Sequence, residues 1–212
     1  MPLRVDARRN LEQLLAAAGD LVAEKGAGVA LDEVAQRAGV GIATLYRRFP
    51  DRTALLRGVV LHSLDQTRTA AERAAEEHDD AFEALAAYLR AALELRVAAV
   101  IPLVLDVLDL NEPELAAARE ASARATEELV DAAHASGQLP EDVTFADVGM
   151  MLVRIARPLP GPLPDELKHE LARRHLELFV RGLGRRGDKL VGPALSRDGL
   201  AQMALRDAES LR

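Results

Sequence analysis

Three guanidinium groups lie within six residues of this chain, at Arg47, Arg48 and Arg52, in the stretch "GIATLYRRFPDR". Two hydroxyls, on Thr44 and Tyr46, stand among them. A guanidinium is a permanently charged planar fork of N–H donors, and hydroxyls donate to the same acceptors. The chemistry such a set performs is recognition of phosphate oxygens rather than bond breaking. Charges alone fit a solvated helix face equally well, so the elements that position them carry the argument.

Those elements are two short helices expected over 31–38 and 42–49. Gly39 stands at the bend between them, where positive φ suits a residue without Cβ. Gly41 is placed to cap the second helix. Val34, Ala38, Leu45 and Phe49 supply an apolar seam, and Ala35 is small where the helices cross. Pro50 closes the second helix, and Asp51 is a natural N-cap for a long helix over 52–77. Two helices joined by a tight glycine turn form a helix-turn-helix, whose second helix enters the DNA major groove. A reading of "GVGIAT" as a nucleotide loop fails, because it has two glycines of the needed three and follows a helix.

The 212 residues include 49% apolar and only 3% aromatic side chains. Ala, Leu, Glu and Arg dominate, as in a helical protein. No cysteine is present, which excludes disulfides and thiolate metal sites. The longest apolar run, Val97 to Leu105, falls far short of the roughly 20 residues a spanning helix needs. "MPLRVDARRN" lacks the apolar stretch of a secretion signal, so a soluble cytoplasmic protein without membrane contact is expected. Net charge is −7, yet residues 1–52 hold eight basic against seven acidic groups, and the remainder nineteen against twenty-seven. That balance excludes a general coat for nucleic acid and leaves a small cationic N-terminal face.

Apolar periodicity continues to the C-terminal region without strand alternation, so the fold class is all-α, with nine or ten helices. Leu11, Leu14, Leu15, Ala18, Leu21 and Val22 mark a first helix that Gly26 stops. Pro102 is expected to interrupt or restart the helix beginning near Ala81. Asn111 with Glu114 reads as a capping box opening the next helix, and Thr144 as the cap of one reaching Arg157. "PLPGPLP" is a linker before a last major helix, 165–183. The expected domains are 1–52, 53–187 and an extension 188–212, where Leu200, Met203, Ala204, Ala208 and Leu211 form a stripe capped by Ser196.

"VAQRAGVGIATLYRRFPDRTALL" closely resembles the DNA-binding region of TetR-family transcriptional regulators, over about residues 8–60. The resemblance implies a homodimer with three DNA-binding helices and a larger helical ligand domain in each subunit. It places Thr44, Tyr46, Arg48 and Arg52 where DNA backbone or base edges are touched, with Gly41 at the start of the helix. Ile42, Ala43 and Arg47 fall where residues vary with operator sequence. Two departures stand out. Ala30 and Leu31 occupy positions where Ser or Thr often caps the second helix, with Asp32 and Glu33 compensating through the helix dipole. Arg48 replaces the more usual histidine, giving a charge that does not titrate.

Helix 145–157 carries Phe145, Val148, Leu152 and Ile155 on one stripe, and the last helix has apolar stripes on two sides. Leu176, Phe179, Val180 and Leu183 join the first set as the expected dimer interface, since a helix apolar on two sides needs two covers. Tyr88, Leu89, Leu93, Ile101, Leu105, Leu108, Leu129, Val130 and Met151 are candidates to line an apolar effector cavity, with Arg96 and Arg154 as polar groups in it. Each is also plain core material. "HELARRH" is no metalloprotease box, because its histidines stand six apart instead of four. No catalytic, cofactor or metal site emerges. The expected function is a ligand-released repressor binding a roughly palindromic operator. The alternatives are a helical carrier or enzyme with a retained DNA-binding-like domain, or a dimeric scaffold.

Overall fold

The computed structural model of the protein describes residues 2–104, 106–157, 159, 161–184, 190 and 192. The expected tail helix over 196–212 lies outside the described residues. Nine helices and no strand occur among those described: α1 (Pro2–Lys25), α2 (Leu31–Ala38), α3 (Ile42–Arg48), α4 (Arg52–Glu77), α5 (Ala81–Glu94), α6 (Val97–Val104), α7 (Pro113–Ala135), α8 (Phe145–Ala156) and α9 (Asp165–Leu183).

Contacts divide the chain into two compact units, Met1–Thr69 with Glu94–Ala123, and Ala70–Leu93 with the chain from Arg124 onward. The expected boundary at residue 52 falls inside the first of these units. Helix α4 has 26 residues and α7 has 23, lengths of about 39 and 35 Å at 1.5 Å per residue. Each helix therefore contributes to both units. In the first unit Leu14, Ala18, Leu21 and Val22 of α1 are buried, as are Leu55, Leu56, Val59 and Val60 of α4. The second unit buries Leu85, Tyr88 and Leu89 of α5, Leu129 and Val130 of α7, Val148 and Leu152 of α8, and Leu176 and Val180 of α9.

Two expected boundaries move, each for a local reason. The break after α5 falls at Leu95–Arg96, ahead of Pro102, which instead lies inside α6. Arg96 turns the chain there with φ 54°, while in so short a helix Pro102 removes a single interior donor. Asn111 and Glu114 form no capping box. Helix α7 starts at Pro113, where a missing N–H matters least, and the Asn111 N–H donates to Asp109 Oδ1 at 2.9 Å. The Thr144 cap is present as a full box, with Asp147 N–H donating to Thr144 Oγ1 at 3.2 Å and Thr144 N–H to Asp147 Oδ2 at 2.8 Å.

Candidate nucleic-acid interface

The recognition element is assembled from backbone stops. Helix α1 ends at Gly26, φ 84°, whose N–H donates to Val22 O at 2.8 Å. Helix α2 ends in a Schellman turn: Gly39, φ 66°, donates to Gln36 O at 3.2 Å and Val40 N–H to Ala35 O at 3.0 Å. This left-handed residue turns the chain from α2 toward α3. Gly41 then starts α3 with extended backbone, its carbonyl accepting from Thr44 N–H at 2.8 Å. Neither α2 nor α3 has a side-chain N-cap bond, as Ala30 and Gly41 require.

Within α3 only Leu45 is buried, at 0% exposure. It is the anchor, with Val34 and Ala35 of α2 also buried and Phe49 beyond the helix end; Ala38 is half-buried. Phe49 does more than fill space. A Cβ on Gly58 of α4 would lie 2.7 Å from Phe49 Cε1 and 3.3 Å from Leu15 Cδ2. The missing side chain at 58 therefore lets the ring at the end of α3 lie against α4 and α1. Sequence reasoning missed Gly58, although a glycine inside a long helix is itself a signal of close packing.

Everything else on α3 faces outward. Ile42, Ala43, Thr44, Tyr46, Arg47 and Arg48 are exposed, Tyr46 at 48%. No hydrogen bond or ion pair among the described residues engages Arg47 or Arg48. Arg37, Arg52, Arg57 and Arg68 of this unit differ. Arg37 forks onto Glu24, Nη2 to Oε2 at 3.1 Å, an arrangement that holds its pKa above the ordinary value. Arg57 grips Glu112 and Glu114, and Arg68 holds Asp65 at 2.7 Å. Arg52 donates Nε–H to Val29 O at 3.1 Å, fixing the start of α4 beside the α1–α2 connection. Asp51 caps that start, with Ala54 N–H donating to its Oδ1 at 2.8 Å. Six of the eight proposed contact residues thus form one exposed face on α3, flanked by Gly41 and by Arg52 at the next helix start.

The expected effector residues are divided between the two units. Tyr88, Leu89, Leu93, Leu129 and Val130 are buried in the second unit, where the Thr126 hydroxyl donates to Tyr88 Oη at 2.9 Å. Burial raises the Tyr88 pKa. Arg96, Ile101 and Leu108 belong to the first unit, and Leu105 lies outside the described residues. Met151 and Arg154 are exposed and line an open cleft of about 560 Å³ between α8 and α9, with Ile155, Leu178 and Phe179 as its apolar walls.

Of the residues expected at a dimer interface, Val148, Leu152, Leu176, Val180 and Leu183 are between 0% and 7% exposed in the single chain. The stripe of α9 that carries Leu167 and Leu178 is the open one: Leu178 is 57% exposed and Leu167 38%. Met150 and Met151 of α8 are 42% and 39% exposed, while Phe145, Ile155 and Phe179 are half-buried.

An exposed basic helix held by a glycine turn, in a wholly helical described chain, defines a helix-turn-helix DNA-binding regulator. The chain belongs to the TetR family of bacterial transcriptional regulators, and it is not an enzyme. Residues 14–59 match the family described as bacterial regulatory proteins, tetR family, and residues 80–185 match the C-terminal domain described as transcriptional regulator SbtR-like. The transcriptional repressor LfrR of Mycolicibacterium smegmatis is 33% identical over 139 residues, 64% of this chain and 70% of LfrR. A TetR regulator of Streptomyces coelicolor superposes with TM-score 0.61 at 29% identity, covering 84% of this chain and 99% of the other. The structure of LfrR in complex with proflavine matches with TM-score 0.51 at 25% identity, over 74% and 99%. No described helix is long and apolar enough to cross a membrane.

Proposed function

We propose that the protein is a homodimeric repressor that binds a near-palindromic operator through α3 and is released by a small-molecule effector. The observation carrying this reading is the pair of unengaged guanidiniums at Arg47 and Arg48, in a unit whose other described arginines with known contacts are engaged on carboxylates or carbonyls. Permanent charges without a protein partner suit phosphate and guanine edges. Thr44, Tyr46 and Arg48 position the helix, and Ile42, Ala43 and Arg47 read sequence. Gly41 and Arg52 hold the two ends of the element, and Arg52 keeps its Nη groups for the DNA backbone.

Dimerisation is assigned to the open stripe of α8 and α9, centred on Met151, Ile155, Leu178 and Phe179. Arg154 and Arg157 at its rim have no described partner and suit carboxylates of a second copy, such as those at the exposed Glu166 and Glu170. Two-fold symmetry then sets half-sites one helical turn apart, about 34–36 Å. LfrR binds proflavine in its structure, so planar aromatic cations are the first effector class to test, acting in the cytoplasm.

The experiment is selection of a duplex from a random pool, followed by fluorescence anisotropy across a salt series. A dimer engaging the operator through several phosphates per subunit shows a steep negative slope of log affinity against log salt. Addition of proflavine or related cations then reads release. Binding without sequence preference, or as a monomer, would refute the reading.

A further inference from the structure

Packing fixes one direction on α3, and helical geometry sets out the rest of its face. Leu45 is fully buried, so it marks the side of α3 turned toward its own unit. At about 3.6 residues per turn, each step along the helix rotates the side chain by about 100°. Ala43 and Arg47, two positions to either side of Leu45, therefore both stand about 160° from it, on the pole farthest from the core. Thr44 and Tyr46 stand at about 100°, on the flanks, and Ile42 and Arg48 at about 60°, beside the core. All six are exposed.

The pole carries two side chains of opposite character. Ala43 offers a methyl group with neither donor nor acceptor. Arg47 offers a fork of N–H donors and no acceptor, and it is exposed with no described hydrogen bond or ion pair. Ile42, the third residue assigned to sequence reading, is apolar and 40% exposed. One guanidinium thus supplies every side-chain hydrogen bond that these three can make to a base. Among the major-groove edges guanine alone presents two adjacent acceptors, O6 and N7. Adenine sets a donor beside its N7, cytosine presents a donor, and thymine has a single acceptor beside its methyl. A fork of donors fits guanine and mismatches the others, and a short methyl fits the C5 methyl of thymine.

We propose that Arg47 reads one guanine in each half-site and that Ala43 reads a thymine near it. The four positions from Ala43 to Arg47 advance about 6 Å along the helix, and stacked base pairs lie about 3.4 Å apart. The two bases therefore stand within two steps of each other. Thr44, Tyr46 and Arg48, on the flanks and beside the core, meet the groove walls where the phosphates lie. Arg48 carries the same charge as Arg47 without its preference. This inference rests on the DNA-binding reading above and gives it a base code.

The test uses the full-length dimer and the duplex selected from a random pool, altered by single groups in one half-site. Replacing guanine by 7-deazaguanine deletes N7, and replacing thymine by uracil deletes the methyl. Anisotropy should find one guanine at which 7-deazaguanine weakens binding by about five- to tenfold, part of the discrimination of a bidentate base contact. A thymine within two steps of it should lose about fourfold as uracil, the scale of one buried methyl. In R47A the 7-deazaguanine penalty disappears, because the donor that N7 served is gone. In R48A affinity falls on every duplex and the penalty remains. A selected half-site without guanine, a penalty that persists in R47A, or one lost in R48A instead would overturn the assignment of Arg47. Full affinity with uracil at every thymine would overturn that of Ala43. If no duplex is selected, the DNA-binding reading and the base code fall together; a selected duplex without the Arg47 coupling removes the base code alone.

Discussion

Helices α3 and α9 are both incompletely covered, in opposite ways. α3 leaves polar groups open: two unengaged guanidiniums and two hydroxyls around a single buried leucine. α9 leaves apolar surface open: Leu178 and Leu167 stand in solvent although Leu176, Val180 and Leu183 already secure the helix to its own unit. What is left unsatisfied identifies the chemistry of the missing partner. Open permanent charge without a carboxylate calls for a polyanion. An apolar stripe in excess of what the fold needs calls for another protein surface.

The largest expected effect breaks the first half of this contrast. Arg47→Ala with Arg48→Ala removes four guanidiniums from a dimer on its operator. At about 1–3 kcal/mol for each contact, affinity falls by roughly a thousandfold or more, and the salt slope flattens by about four charges. Thermal stability stays nearly unchanged, since both side chains are exposed and neither has a described hydrogen bond or ion pair. Anisotropy and a melting curve together check this; wild-type affinity would remove α3 from the interface.

Next comes the contrast within α9 itself. Leu176→Ala opens a cavity in the second unit and costs about 2–5 kcal/mol in a urea unfolding curve. Leu178→Ala, two residues on, leaves each subunit's packing intact and stays near the small values of surface sites. Leu178→Glu places a carboxylate in the proposed interface and weakens dimerisation by about thirtyfold or more, the size of a hot-spot loss. Sedimentation velocity across a dilution series reads it. A dimer indifferent to Leu178→Glu would place the interface elsewhere.

The contrast also explains how much was legible in the residues. Helix α2, the glycine stop at 39 and the Thr144 cap are written locally, in propensities and capping within a few positions, so expectation and structure agree there. The two stripes of α9 were legible as stripes, but which one faced the core depended on where α8 lies, a non-local fact. Phe179, expected with Leu176 and Val180 at the dimer interface, shares the open cleft with Leu178. Arg57 and Glu112 are 55 residues apart, and nothing in either neighbourhood announces the other. Asn111 was misread because Pro113 and the pull of Arg57 on Glu112 and Glu114 outweigh a local capping pattern.

A smaller effect tests how α3 is seated. Helix propensity alone says that Gly58→Ala stabilises α4 by up to about 1 kcal/mol. The added Cβ would meet Phe49 Cε1 at 2.7 Å and Leu15 Cδ2 at 3.3 Å, and overpacking of this kind costs about 1–3 kcal/mol. The expected net result is a lower urea midpoint together with weaker operator binding, because Phe49 ends the recognition helix. A stabilised variant with unchanged affinity would show that the ring moves aside freely.

The smallest effect concerns His62 of α4. Its Nε2 is buried without a hydrogen-bond partner, and burial lowers its pKa from 6.5, although Glu12 of α1 and Asp65 pull the other way. Above pH 6.5 the imidazole is neutral in both folded and unfolded chains, and burial carries no charge penalty. Below that value the unfolded chain takes up the proton first, so stability declines as pH falls from 6.5 through the lower folded pKa. Several depressed carboxylates, including Glu77, Asp80 and Glu177, also lose stability in acid, but they titrate below their ordinary values of 4.5 for Glu and 3.8 for Asp. Urea midpoints of the unaltered protein and His62→Gln between pH 7.5 and 5.5 separate the two. The unaltered protein should lose stability across that window and the variant should hold level. Parallel curves would mean that the imidazole reaches water or a carboxylate when charged, and that the packing of α1 against α4 does not depend on its neutrality.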